Sequence, residues 1–313
     1  MIVKPENMDF SNQNFAMIIY GQPGIGKSSL ACSAPNPVMI DFDNGISRIK
    51  AEHRCATSIC NNYEEVLEDI KNMKDFETII IDTGGSFVSY LKDWAYRTQQ
   101  GCQTKTGSPN TLKIFGAVKN EFSRLTEEIK NVMKKNVIYV FHSVESENAD
   151  GSPYQRLLCE GSAKNTVWTP CDFGAYMTMI GNKRTLYFTP QDEFFAKGTH
   201  GINGKREVQD YATGAKNDFV TKLFEEARRN IKHENDVFLP QKEQYEKVMK
   251  EAQVIIDSVK DIESANHAVE ELKGLEHALT SKKECSSKLK SKALSIGLNF
   301  VKDSGGFIKK ETE

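Results

Sequence analysis

Through the first two-thirds of the chain, apolar residues fall in short unbroken runs separated by stretches where they recur every three or four positions. The runs are residues 15–20 (FAMIIY), 37–40 (PVMI), 78–81 (TIII) and 137–141 (VIYVF). Each has strand length and lacks the apolar–polar alternation of a half-exposed strand, so each predicts a strand covered on both faces. Between them, apolar positions 63, 66, 67, 70 and 73 form a helical stripe, a second helix is expected over 87–96, and a strongly amphipathic one over 116–135. Such alternation predicts an α/β fold with a mostly parallel central sheet flanked by helices. Residues 173–180 and 184–189 flank Gly181-Asn182-Lys183 and predict a hairpin. A helix near 217–230 closes this part.

A break is expected around 233–241, which contains Pro240, dividing the chain into a core of 1–235 and an appendix of 236–313. In 242–259 and again in 262–279 the apolar residues keep helical spacing, and a third, lysine-rich helix is expected over 283–301. The pattern predicts an all-helical appendix whose apolar faces pack on each other or on a neighbour.

The chemistry sits at the ends of the predicted strands. Residues 21–28 read Gly-Gln-Pro-Gly-Ile-Gly-Lys-Ser, a complete G-x-x-x-x-G-K-[ST] loop between the first strand and a helix opening at Ser28-Ser29. Gly21, Gly24, Ile25 and Gly26 let backbone amides turn inward on phosphate oxygens. Lys27 supplies a charge to the β and γ oxygens, and the Ser28 hydroxyl is a Mg²⁺ ligand. ATP and Mg²⁺ are therefore the expected cofactors, with Ser29 completing the nucleotide-binding set.

Asp82 ends the TIII run and has the place of a Walker-B carboxylate, the second metal-holding residue with Ser28. Thr83 comes next, so the Asp-Glu pair of AAA+ proteins is absent and the carboxylate that orients the attacking water must come from elsewhere. Asp43, just past the 37–40 run, is the leading candidate and Asp41 the second; the plain alternative is that both cap the turn at Asn44-Gly45. His142 ends the 137–141 strand, where it would face the γ-phosphate and report hydrolysis to the loop after it. Residues 143–165 are polar and turn-rich, and a loop of that length is expected to be functional. It carries Tyr154, Arg156 and Lys164; the 101–113 stretch carries Lys105 and Lys113. Together they form the expected surface for backbone-directed binding of single-stranded DNA. Lys197, in the FFAKGTHG segment, is the candidate for a cation reaching a neighbouring subunit's nucleotide, with Lys183 and Arg184 as substitutes.

Composition narrows the setting. The chain has 313 residues, 39% hydrophobic and 27% charged, enough for a sizeable core. Its formal net charge of −2 gives no global attraction for a polyanion, so nucleic-acid contact needs a local basic surface. Seven scattered cysteines without a C-x-x-C predict reduced thiols, neither a disulfide framework nor a zinc site. No apolar window approaches a membrane span or a secretory leader, and a cytoplasmic setting is expected. GTPases lose support because Asn182-Lys183-Arg184-Thr185 lacks the aspartate of N-K-x-D.

With GQPGIGKSSL, IDFDNG, TIIIDTGG, VIYVFHSVE and FFAKGTHG in this order, residues 12–230 resemble the RecA-like P-loop ATPases of bacteriophages, most closely the Sak-group single-strand-annealing proteins with a minimal RecA core. The resemblance implies a slow, DNA-stimulated ATPase that binds single-stranded DNA, assembles head to tail as a ring or filament, and promotes annealing in phage recombination, in the host cytoplasm. Full recombinases of the family carry glutamate where Asp43 stands and glutamine near His142, which favours annealing over strand exchange. The other reading is an ATP-gated loader or accessory factor of phage replication acting through its helical tail, a single-strand DNA-binding protein being one candidate partner.

Overall fold

The computed structural model describes residues 12–160, 166–210, 214, 216–301 and 305–309. The described residues up to 230 form one compact unit, and those from 231 onward form another.

The larger unit is built on a nine-stranded sheet. Its strands are β1 (Ala16–Gly21), β2 (Pro37–Asp41), β3 (Ala56–Ser58), β4 (Thr78–Asp82), β5 (Asn136–Glu147), β6 (Pro153–Leu157), β7 (Phe173–Ile180), β8 (Lys183–Tyr187) and β9 (Lys205–Glu207). The order across the sheet is β3-β2-β4-β5-β1-β7-β8-β9, with β6 paired to β5. From β3 to β7 every pairing is parallel, and β8 and β9 add antiparallel strands at one edge. This is the α/β arrangement with a mostly parallel central sheet that the strand runs predict. The four apolar runs are buried because helices cover both faces of the parallel strands. Register is fixed by the same burial: Gly21 stands opposite His142 on one side and Met177 on the other.

The helices α1 (Lys27–Ala31), α2 (Tyr63–Asn72), α3 (Gly84–Thr98) and α4 (Thr111–Glu127) connect the strands. Asn62, Thr83 and Asn110 cap α2, α3 and α4, each accepting from a backbone N–H three residues on. Tyr63, Phe87, Phe122 and Tyr139 interleave beneath α2–α4 as one aromatic layer. Gly84 is required there, because a Cβ would stand 2.4 Å from the Phe141 ring.

Two segments before residue 242 differ from the sequence expectation. Residues 143–157 are an antiparallel hairpin instead of an open loop: β5 continues past His142, and Ser143–Glu147 pair with Leu157–Pro153. Alternating polar residues had hidden a strand whose pairing partner is the turn-flanking stretch just after it. The expected break at 233–241 is helical: α5 runs Phe219–Asp257 with Pro240 inside. Proline lacks only its own N–H and clashes only with the carbonyl four residues back, so it leaves the rest of a helical pattern intact.

The smaller unit contains the end of α5, α6 (Ile262–Lys273) and α7 (Ser281–Ser295) around its own apolar cluster of Val248, Ile256, Leu272, Leu289 and neighbours. It also carries a hairpin, β10 (Leu298–Val301) with β11 (Gly306–Lys309), where only helix was expected. The third helix stops at Ser295 because Gly297 takes a left-handed φ of 79°.

Candidate functional site

β1, β2 and β4 all end at one side of the sheet, and the parallel pairing brings their terminal residues together beside Val140–His142 of β5. The loop after β1 wraps because Gly24 and Gly26 adopt φ of 80° and 95°, a region closed to most side chains. Gly21 has a different reason: a Cβ there would meet the Met177 carbonyl at 2.2 Å. Ile25 packs its side chain back against Gly21. Arg184 of β8 donates through Nε to the Ile25 carbonyl at 2.9 Å, tying the loop to the antiparallel edge. The Asn217 amide does the same for Ser29 by donating to its carbonyl at 2.9 Å.

Lys27 is 4% exposed. Its ammonium donates to the Gln22 carbonyl at 2.7 Å and lies 3.4 Å from Nδ1 of His142. An ammonium has no lone pair, so Nδ1 is the acceptor. Burial pulls the Lys27 pKa down to about 8, with Asp82 opposing that pull. Burial also lowers the His142 pKa, helped by Lys27 and opposed by Asp43, so the imidazole stays neutral near pH 7.

Asp82 is 6% exposed, and burial pushes its pKa up to about 6, against the hydrogen bond from Ser28. The charges of Asp41 and Asp43 raise it further. A buried carboxylate joined to the loop hydroxyl fits a divalent cation, which would add positive charge to that of Lys27 against Asp82, Asp41 and Asp43.

Asp43 and Asp41 have separate tasks. Asp41 is buried and accepts from the backbone N–H groups of Asp43, Gly45 and Ile46 at 3.1, 2.9 and 2.8 Å. It holds the turn and has little left to offer a ligand. Asp43 is exposed and is held from the other side: Thr83 Oγ1 donates to Oδ2 at 3.0 Å and Ser86 Oγ donates to Oδ1 at 2.8 Å. The geometry thus aims Asp43 beside Asp82 and within electrostatic reach of His142. Thr83 and Ser86 carry no role in the sequence motifs. Their signal was a hydroxyl directly after the strand-end aspartate and another three residues on, the spacing of a helix cap.

Other expected residues lie elsewhere. Lys197 pairs through its backbone with Gly174, near the start of β7, and donates its ammonium to the carbonyl of Cys171. Because β7 is parallel to β1 and Phe173 stands opposite Met17, this is the amino-terminal end of the strand, away from the phosphate loop. Lys183 is bound to Glu207 at 2.9 Å. Among the cations weighed for a γ-phosphate contact, Arg184 alone touches the loop, and it does so within its own chain.

Arg156 and Tyr154 sit on β6, opposite Val144 and Ser146. Tyr154 is half-buried, close enough to influence the Tyr20 phenol, so it is packed rather than presented on a loop. Lys105 and Lys113 are exposed. The loop bearing Lys105 is closed by Thr104, Gly107 and Ser108 backbone bonds and by Tyr96 donating to the Gly107 carbonyl at 2.8 Å. Lys164 lies outside the described residues.

A family model described as an AAA domain matches residues 13–200, more than half of the chain. No curated protein sequence matches it. Among solved structures it is similar to a KaiC-like protein of the hyperthermophilic archaeon Pyrococcus horikoshii OT3, 12% identical, covering 63% of this chain and 90% of that one, with a TM-score of 0.36. It is also similar to the RadB recombinase, 11% identical, covering 62% and 86%, with a TM-score of 0.36. A third is an ATPase from the type III secretion system of pathogenic bacteria, 14% identical, covering 52% of this chain and 51% of that one, with a TM-score of 0.35. Among the described residues, no helix is long and apolar enough to cross a membrane.

Proposed function

Because the chain belongs to the AAA domain family, we propose that it is a magnesium-dependent ATPase whose nucleotide site controls binding of single-stranded DNA. The observation that carries the nucleotide half is Lys27, a nearly buried ammonium inside a loop of left-handed glycines, satisfied by a carbonyl and an imidazole. A buried cation with only neutral partners at bonding distance is poised to exchange them for anionic phosphate oxygens.

Ser28 and Asp82 would hold Mg²⁺, which when bound would draw charge from the phosphate oxygens. This chain's own residues do the rest. The amides of 24–28 grip the phosphates, with Gly24 and Gly26 setting their direction. Lys27 leaves the Gln22 carbonyl for the β and γ oxygens. Asp43, aimed by Thr83 and Ser86, orients the attacking water and accepts its proton. His142 loses or regains its Lys27 partner as the γ-phosphate comes and goes, so its strand registers which nucleotide is present.

The DNA half rests on where that strand leads. β5 carries His142 and, two residues on, Val144, which pairs with Arg156 of β6. Arg156, Lys105 and Lys113 are the cations for the phosphate backbone, and the resemblance to single-strand-annealing proteins makes annealing by a head-to-tail oligomer the consequence. Lys197, held by the Cys171 carbonyl, would have to release that bond to serve a neighbour.

The test is a titration with single-stranded DNA at fixed salt, with and without Mg·ATP, on the parent and Lys27→Ala. The parent should bind ATP and bind DNA more tightly with it; the variant should lose ATP binding by at least a hundredfold and lose the nucleotide effect on DNA. Parent protein that ignores Mg·ATP refutes the reading. Parent protein that binds ATP but not DNA leaves an ATP-gated protein-contact factor in its place.

A further inference from the structure

Two thiols next to the nucleotide loop are arranged for a reaction the ATPase does not use. Cys32 ends α1, the five-residue helix that begins at Lys27, and Cys55 precedes β3. Their sulfurs are 3.3 Å apart, and both are free thiols. Cys32 is buried and Cys55 is partly exposed. We propose that Cys32 and Cys55 are a modification site, a dithiol that hydrogen peroxide converts to a disulfide, and that closing it loosens ATP binding at the adjoining loop.

Chemical roles come from exposure and the shared proton. The hydrogen bond between the sulfurs lowers the pKa of Cys55, against burial and the Asp82 charge, and raises that of Cys32, as burial also does. Exposure makes Cys55 the thiol that peroxide reaches, reacting as its thiolate, and Cys32 the buried resolving partner, the arrangement of redox-sensing cysteines. The Cys55 thiolate attacks one peroxide oxygen; the O–O bond breaks, hydroxide leaves, and Cys55 becomes a sulfenic acid. Cys32 then attacks the Cys55 sulfur, forming S–S as the S–O bond breaks, and its proton goes to the departing hydroxide. With the proton that Cys55 gave up, one peroxide and two thiols yield one disulfide and two waters.

The effect on the loop is geometric. A disulfide brings sulfurs to about 2.0 Å, which closes the present gap of 3.3 Å and ties the end of α1 covalently to the start of β3. Cys55 is held in place by β3, which pairs with β2 from Ala56 onward. α1 is the shorter lever: Cys32 donates its N–H to the Ser28 carbonyl, so a pull on Cys32 reaches the metal-binding serine directly. This half of the inference rests on the nucleotide reading above.

The experiment treats the full-length protein with hydrogen peroxide, alkylates what remains free, and maps linked peptides by mass spectrometry. ATP affinity is measured on reduced, oxidised and dithiothreitol-restored samples, and on Cys32→Ser and Cys55→Ser, with the alanine variants in reserve should a serine impair folding. The expected result is loss of two of the seven thiols, a Cys32–Cys55 linked peptide, and a rise in the ATP Kd of about tenfold that dithiothreitol reverses. Each single variant should bind ATP like the reduced parent and be insensitive to peroxide. Oxidation of Cys55 to sulfinic acid without a link, a link between other cysteines, or a linked protein of unchanged Kd overturns the proposal. Should reduced parent fail to bind ATP, the gating half falls with the nucleotide reading, while the peptide map still decides whether the pair is the oxidation site.

Discussion

Two carboxylates at the strand ends differ in what holds them, and the difference fixes what each substitution should do. Asp82 has a folded pKa of about 6 against an ordinary value of 3.8. A raised carboxylate means the folded state holds that proton more tightly, so the contribution of Asp82 to stability is fully present below pH 4 and is lost as pH rises through 6. Above that, the charged group costs up to about 3 kcal/mol without a metal, less whatever relaxation and water recover. Asp82→Asn should therefore flatten the decline between pH 4 and 6 and make the nucleotide-free protein about 1–2 kcal/mol more stable at pH 7. The same variant should lose the magnesium-dependent rise in melting temperature that ATP gives the parent. Denaturant titrations across pH check the first statement and thermal melts the second. For Asp43, bound by two hydroxyls rather than buried, Asp43→Asn keeps one acceptor and changes little in binding. Phosphate release should fall by roughly 10²–10⁴ with ATP affinity within about threefold; retained turnover would exclude Asp43 as the proton acceptor.

At the scale of elements, what could be read in advance tracked burial. The runs FAMIIY, TIII and VIYVF announced parallel strands because a strand covered on both faces has no polar positions to confuse it with anything else. The phosphate loop was legible for the opposite reason: its glycines, lysine and serine are each demanded by local backbone and charge. Ser143–Glu147 was not legible, since an exposed antiparallel strand of mixed polarity looks like any solvated segment until its partner is known. The same holds for Arg184, whose bond to the Ile25 carbonyl spans the sheet and leaves no mark in spacing. The hairpin makes its own prediction. Arg156→Ala should weaken single-stranded DNA binding by about three- to tenfold, reduce its salt dependence by about one ion, and leave ATP affinity alone. Fluorescence anisotropy over a salt series reads this out, and an unmoved isotherm takes the DNA surface off β6.

On the scale of the whole molecule, the apolar cluster around Leu272 and Leu289 draws only on residues 248–307, while that beneath α2–α4 draws only on residues 16–196. The helical stripes after residue 242 foretold the second cluster, but the hairpin at 298–309 was lost in a lysine-rich sequence with few apolar anchors. Separate cores predict separable stability. Leu289 is 3% exposed within the second cluster. Leu289→Ala should lower protection of the amides in 245–300 by about 2–5 kcal/mol, while amides of β1 and β4 and the affinity for ATP stay as in the parent. Hydrogen exchange read by mass spectrometry measures both regions in one sample; a loss spread evenly over the chain would mean one cooperative unit. Back in the larger unit, β5 is twelve residues long, with His142 at the point where its parallel neighbour β1 ends. From there to the turn is about 20 Å at 3.3 Å per residue, so a tilt of about 5° at the imidazole swings the tip by about 2 Å. A strand clamped at that point would deliver, where Asn148 donates to the Asp192 carbonyl at 3.1 Å, a displacement too small to matter where it starts.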